Sequence, residues 1–166
     1  MYRRTRRVAP ARVAYAHAMA ASLPPDAGLR VSIEVEIPSD VQFIEKVVEL
    51  VRRECELMRY GPRQTMLNVP VALSEALSNA ILRGNREDPA KQVHVRAHVD
   101  PVRLIIEVRD EGASFDLDKC TLDPTTPDHV DREDGRGLFL MRKLMDSVER
   151  FDAGPGNIVR LTLKRQ

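Results

Sequence analysis

Three short stretches of this chain alternate apolar and polar side chains residue by residue, and nothing else constrains the fold as tightly. From Val31 to Ile37, Val31, Ile33, Val35 and Ile37 take one side, while Ser32, Glu34 and Glu36 take the other. From Gln92 to Val99 the apolar side is Val93, Val95, Ala97 and Val99. From Val102 to Arg109 it is Leu104, Ile106 and Val108. A period of two is strand geometry, and a strand with one apolar side belongs to a sheet with a dry face and a wet face. Asp100-Pro101 separates the second stretch from the third, which predicts an antiparallel hairpin. His94 and His98 share the wet side about 13 Å apart, too far to hold one metal ion, and read as surface histidines.

Between the strands the apolar residues recur at helical spacing. Ser39-Asp-Val-Gln42 reads as a capping box. It opens a helix to about Met58, with Ile44, Val47, Val48, Val51, Cys55 and Met58 on one face, stopped at Tyr60-Gly61-Pro62. Val71 to Asn85 reads as a second helix with Leu73, Ala76, Leu77 and Ala80 as its stripe. Asn68 is its expected N-cap, Pro70 sits in its first turn, and Gly84 is its expected left-handed stop. Gly135 to about Ser147 reads as a third, with Leu138, Met141, Leu144, Met145 and Val148 inward. Short strands near 148–151 and 158–163 close the chain. Ala113 to Asp134 has no sustained period and holds Pro124, Pro127 and a run of acidic residues. A structureless stretch of that length inside a compact domain is expected to be functional or mobile.

At 166 residues the chain is one domain by the usual prior. Lys and Arg number 26 against 25 Asp and Glu, a net charge of +1, which makes no overall case for nucleic acid. No run approaches the ~18 apolar residues of a membrane span. Cys55 and Cys120 have no CxxC neighbour, which fits a reducing, cytoplasmic setting. Residues 1–30 read as a basic N-terminal extension, either a flexible tail or a short docking helix over 11–22, with Ser22 to Gly28 as linker. Arg12 and His17 interrupt any signal-peptide core. Residues 31–166 read as the folded domain.

The chemistry gathers on the second helix. Glu75 and Asn79 are four apart, so they share one face, and Ala72 and Ala76 beside them leave room for something bulky. Alone, the pair reads as a solvated face. Two later segments give it another reading. Asp110-Glu-Gly112 ends a strand, where a carboxylate accepts from an exocyclic amine and a glycine lets a flat ring lie on backbone. Gly135-Arg136-Gly137-Leu138 opens a helix, whose exposed N–H groups favour phosphates. Neither a P-loop nor a dinucleotide fingerprint is present. Asn79 offers a neutral oxygen to Mg²⁺, and Glu75, one turn away, suits a general base near a γ-phosphate. The segment 113–134 would be a lid.

In this order and spacing, Glu75-x-x-x-Asn79-Ala80, Asp110-Glu-Gly112 with Phe115, and Gly135-Arg-Gly137-Leu138 running into FLMRKLMDSVE resemble the Bergerat-fold (GHKL) ATPases. Within them they resemble the anti-sigma regulatory factors, which are serine/threonine protein kinases. The resemblance covers roughly residues 31 to 164. It implies a two-layer α/β sandwich, with helices on one face of a mixed, mostly antiparallel sheet. It implies ATP and Mg²⁺, with Asn79 holding the metal, Asp110 binding adenine, and Gly112, Gly135, Arg136, Gly137 and Leu138 completing the nucleotide site. Glu75 would be the catalytic base. It further implies a sigma factor held inactive, a STAS-type anti-anti-sigma partner phosphorylated on serine, and a possible homodimer. Ser114 stands where the family's first glycine box carries a second glycine. Gly156-Asn157 stands where relatives often have Gly-Thr, the threonine supporting adenine. Arg83 stands where close relatives tend to have His. The alternative is a nucleotide-sensing binding module of the same fold without relevant catalysis. A complete histidine kinase is not expected, because His17 in AYAHAMAAS has no acid beside it.

Overall fold

A computed structural model describes residues 12–17, 30–112, 133–152, 154 and 156–166. The linker at Ser22–Gly28 and most of the lid expected over 113–134, with Ser114, Phe115 and Cys120, lie outside the described residues. The strands are β1 (Arg12–His17), β2 (Val31–Pro38), β3 (Gln92–Val99), β4 (Arg103–Asp110), β5 (Ser147–Asp152) and β6 (Asn157–Lys164). The helices are α1 (Ile44–Leu57), α2 (Val69–Ser78) and α3 (Glu133–Leu144). One six-stranded sheet runs β1-β2-β3-β4-β6-β5. Expected to be mixed but mostly antiparallel, it is antiparallel at every described pairing.

The period-two sides become the core. Val31, Ile33, Val35 and Ile37 of β2 are buried, as are Val93, Val95, Ala97 and Val99 of β3 and Leu104, Ile106 and Val108 of β4. Against them lie Val47, Val48, Val51 and Cys55 of α1, Leu73, Ala76 and Leu77 of α2, and Leu138 and Met141 of α3. This is the two-layer arrangement, with the helices in contact with β2 to β6. On the wet face Glu34 pairs with Arg96 at 2.8 Å, and Ser32 hydrogen-bonds His98 at 2.8 Å. His94 lies 3.6 Å from Glu36 and 3.9 Å from Glu111.

β1 is a correction. A tail or a docking helix was expected, but Arg12 to His17 adds an edge strand, running from Arg12 opposite Glu36 to His17 opposite Val31. Ala-rich sequence favours helix locally. Here Val13 and Tyr15 are strand formers, and the row of N–H and C=O groups along β2 rewards extension more than propensity opposes it.

The helix ends differ too. The cap before α1 is Asp40, whose Oδ1 accepts from Gln42 N at 3.0 Å and opens a short 3₁₀ turn at Val41–Phe43. Ser39 instead donates to Lys91 O at 3.0 Å. α2 is flanked by wide π-type turns at Gln64–Asn68 and Asn79–Gly84. Asn68 is therefore helical, with φ −61, and caps nothing. Its Nδ2 donates to Leu144 O at 2.7 Å and ties α2 to the end of α3. Pro70 lacks a donor and crowds the carbonyl before it, and the widened turn just upstream accommodates both. Gly84 is not left-handed. That conformation falls to Arg86 (φ 55) and Glu87 (φ 52).

Cys55 is fully buried on the inner face of α1. Burial first, then Glu54 and Glu56, pushes its thiol up from 9.0 to about 12. Burial also pushes Tyr60 upward. A folded thiol that stays protonated where the unfolded one ionises makes the folded state the stronger proton binder. This contribution to stability is complete below pH 9 and is lost as pH rises from 9 towards 12. Urea midpoints are expected to fall between pH 8 and pH 10.5, with a shallower fall in Cys55→Ala. Equal slopes in the two proteins would refute the assignment.

Candidate active site

β4 delivers Asp110 to the edge of the core and β6 begins opposite it at Asn157. Asp110 is 3% exposed and Asn157 is 0% exposed. Asp110 Oδ1 accepts from Gly112 N at 2.8 Å and from Asn157 Nδ2 at 2.9 Å. Both hydrogen bonds that the described residues give this carboxylate fall on Oδ1, which leaves Oδ2 for a donor from outside. Asn157 Oδ1 accepts from Arg150 Nη2 at 2.5 Å.

Glycines make room around that carboxylate. A Cβ on Gly84 would lie 2.5 Å from Asp110 Cγ and 2.7 Å from its Oδ2. A Cβ on Gly112 would lie 2.5 Å from the carbonyl carbon of Gly84 and would overlap its oxygen. Gly156, at φ +125, would drive a Cβ into the carbonyl of Asp110. Gly84 is thus glycine for close approach to Asp110 rather than for a left-handed turn.

Asn85 locks the same corner. It is 1% exposed. Its Nδ2 donates to Ser39 Oγ at 2.7 Å and to Gln92 O at 2.8 Å, and its Oδ1 accepts from Glu111 N at 2.8 Å. Three elements are held by one buried amide, with its polar atoms satisfied. In the sequence Asn85 stands only at the end of a helix, and nothing in its neighbours' spacing shows this role. A buried-competent amide directly after a glycine was the one available signal. For Arg150 there was none.

The second half of the site lies between α2 and α3, which run antiparallel. Asn68 meets Leu144 at one end, and Glu75 meets Gly137 at the other. A Cβ on Gly137 would overlap Glu75 Oε2 and lie 3.7 Å from Asn79 Nδ2. Glu75 and Asn79 are each half-buried. The helix was expected to open at Gly135, and α3 begins two residues earlier at Glu133, so Gly135 lies within its first turn and Gly137 one residue beyond it. The amide of Gly135 is among the four that an α-helix leaves unpaired at its start. The side chain of Arg136 lies outside the described residues. Leu138, expected at the nucleotide, is 5% exposed with its side chain in the core. It shares the stripe of Met141 and Met145, so packing claims that side chain. Ala72 and Ala76, expected to leave room beside the polar pair, are 0% and 2% exposed.

Among the described residues no group of three or more His, Cys, Asp or Glu could hold a metal ion. None of the described helices is long and apolar enough to cross a membrane.

Residues 37–163 match the family model described as a histidine kinase-like ATPase domain. The chain is 36% identical over 121 residues to the serine-protein kinase RsbW of Bacillus subtilis, an overlap of 70% of this chain and 75% of that protein. It is 35% identical over 135 residues to the serine-protein kinase RsbW of Bacillus velezensis, covering 78% and 83%. It is 30% identical over 102 residues to the anti-sigma F factor of Clostridium beijerinckii, covering 60% and 69%. With a buried strand-end carboxylate walled by glycines, and a carboxylate and amide on α2 facing a glycine of α3, the chain belongs to the histidine kinase-like ATPase family, among the RsbW-type serine-protein kinases.

Proposed function

We propose that this chain binds Mg·ATP, transfers the γ-phosphate to a serine of a STAS-type anti-anti-sigma partner, and sequesters a sigma factor in the cytoplasm. The observation that carries the reading is the approach of Glu75 and Asn79 on α2 to Gly137 on α3. A carboxylate that suits a base thereby stands beside the helix start that suits phosphates. Asp110 offers its Oδ2 to the exocyclic amine of adenine. Gly112 clears the surface on which the ring would lie. Amides at the start of α3 face the phosphates.

The donor set fits Mg²⁺ arriving with the nucleotide. Asn79 supplies one neutral oxygen, and the phosphates and waters complete the shell. Bound there, the ion would supply charge neutralisation at the phosphates. Glu75 takes the proton from the partner's serine as its Oγ forms a bond to the γ-phosphorus. The bond from that phosphorus to the bridging oxygen breaks, and ADP leaves.

The test is to mix the purified chain with Mg·ATP and each STAS-domain protein of its host, and to map phosphate by mass spectrometry. One partner is expected to gain phosphate on serine. ATP at 100 times its dissociation constant should also stabilise the fold by about 2.7 kcal/mol. Stabilisation without transfer to any partner would leave the nucleotide-sensing module. No stabilisation would end the nucleotide reading.

A further inference from the structure

We propose that Arg150 is a positioning residue for purine recognition, acting through Asn157 to hold Asp110 as an acceptor for the amine of adenine. This rests on the adenine reading of Asp110 given above.

The two ends of an asparagine side chain fill nearly the same space, so neighbours decide which end points where. At Asn157 two described neighbours bear on the choice. A guanidinium only donates, and an ionised carboxylate only accepts. Arg150 Nη2, 2.5 Å from Asn157 Oδ1, holds the oxygen on its own side. The NH₂ group is then turned towards Asp110 Oδ1, at 2.9 Å. The reverse orientation would set oxygen against oxygen and NH₂ against guanidinium. Asn157 is 0% exposed, so water does not soften that penalty.

The second donor on Asp110 Oδ1 is Gly112 N at 2.8 Å. With Oδ1 taking both, the carboxyl plane is set and Oδ2 is the oxygen presented to a ligand. An adenine amine donates to it. Guanine presents a carbonyl oxygen at the corresponding position and is repelled. A threonine in place of Asn157 would not need Arg150, because a hydroxyl rotates freely to donate. The dependence on Arg150 is therefore particular to a chain that carries an amide here.

The experiment measures equilibrium binding of ATP and of purine riboside triphosphate, which lacks the exocyclic amine. Arg150→Met is expected to weaken ATP about tenfold and purine riboside triphosphate less than twofold. In an Asn157→Thr background, the same change is expected to cost ATP less than twofold. Equal loss for both nucleotides would reduce Arg150 to a structural role and overturn the proposal, as would an undiminished loss in the threonine background. If the single Met variant does not fold, the threonine background alone decides, and a loss above fivefold there overturns the proposal. Asp110→Asn separates the two readings, since it turns the outward acceptor into a donor. If ATP affinity survives that change, the adenine reading itself fails. If it falls while Arg150→Met changes nothing, only Arg150 is dismissed.

Discussion

Glu75→Gln is expected to slow phosphate transfer to the serine partner by about 10²- to 10⁴-fold, with ATP affinity changed less than threefold. The amide keeps the shape of the carboxylate that fills the space against Gly137, so the packing between α2 and α3 survives. It cannot take the proton that serine must lose. Rapid-quench transfer and equilibrium ATP binding on the same preparation separate the two effects. Transfer at the full rate would remove Glu75 from the chemistry. Transfer and affinity falling together would make it a binding residue instead.

The second large effect is expected at Gly112. An alanine there would set its Cβ 2.5 Å from the carbonyl carbon and 2.6 Å from the Cα of Gly84. Both are backbone atoms in the turn that follows α2, and neither can rotate aside. Overpacking of this kind costs about 3 kcal/mol, which for a chain of this size lowers Tm by roughly 10 °C. The damage is local as well. Gly84 would have to leave Asp110, so ATP binding should be lost even at temperatures where the fold persists. A calorimetric Tm within 2 °C of the parent, or undiminished ATP affinity, would refute the contact. Gly61→Ala is the comparison, because the nearest heavy atoms to a Cβ at that position lie 3.9 and 4.0 Å away and its backbone is not left-handed.

The parts of the structure legible beforehand were those where one local pattern decided the outcome. Val31 to Ile37 could satisfy its alternation only as a half-covered strand, and the hairpin at Asp100-Pro101 required only two such strands and a turn. The residues of the site were visible as types at spacings: a carboxylate and an amide one helical turn apart, and glycines at the ends of elements. What could not be read was anything fixed by a distant partner. Arg12 to His17 is extended because β2 has an edge to fill. Asn68 continues a helix because a wide turn precedes Pro70, and its amide serves Leu144 rather than its own backbone. Gly84 is glycine because of Asp110, which lies on another element. Ser39 left the cap to Asp40 because Lys91 and Asn85 offered it partners from other segments.

The pairing of Asp110 with Asn157 also bears on when this protein can first act during its own synthesis. The two residues are separated by 47 positions and meet only when β6 docks on β4. The β2–β3 and β3–β4 pairings need nothing made after Asp110, so most of the sheet can assemble on the ribosome without β6. The Asp110–Asn157 pair cannot. If Asp110 binds adenine as proposed, a nascent chain with β1 to β4 folded would not bind nucleotide until β6 emerges. Partners that respond to the ATP-bound form would therefore not engage unfinished copies.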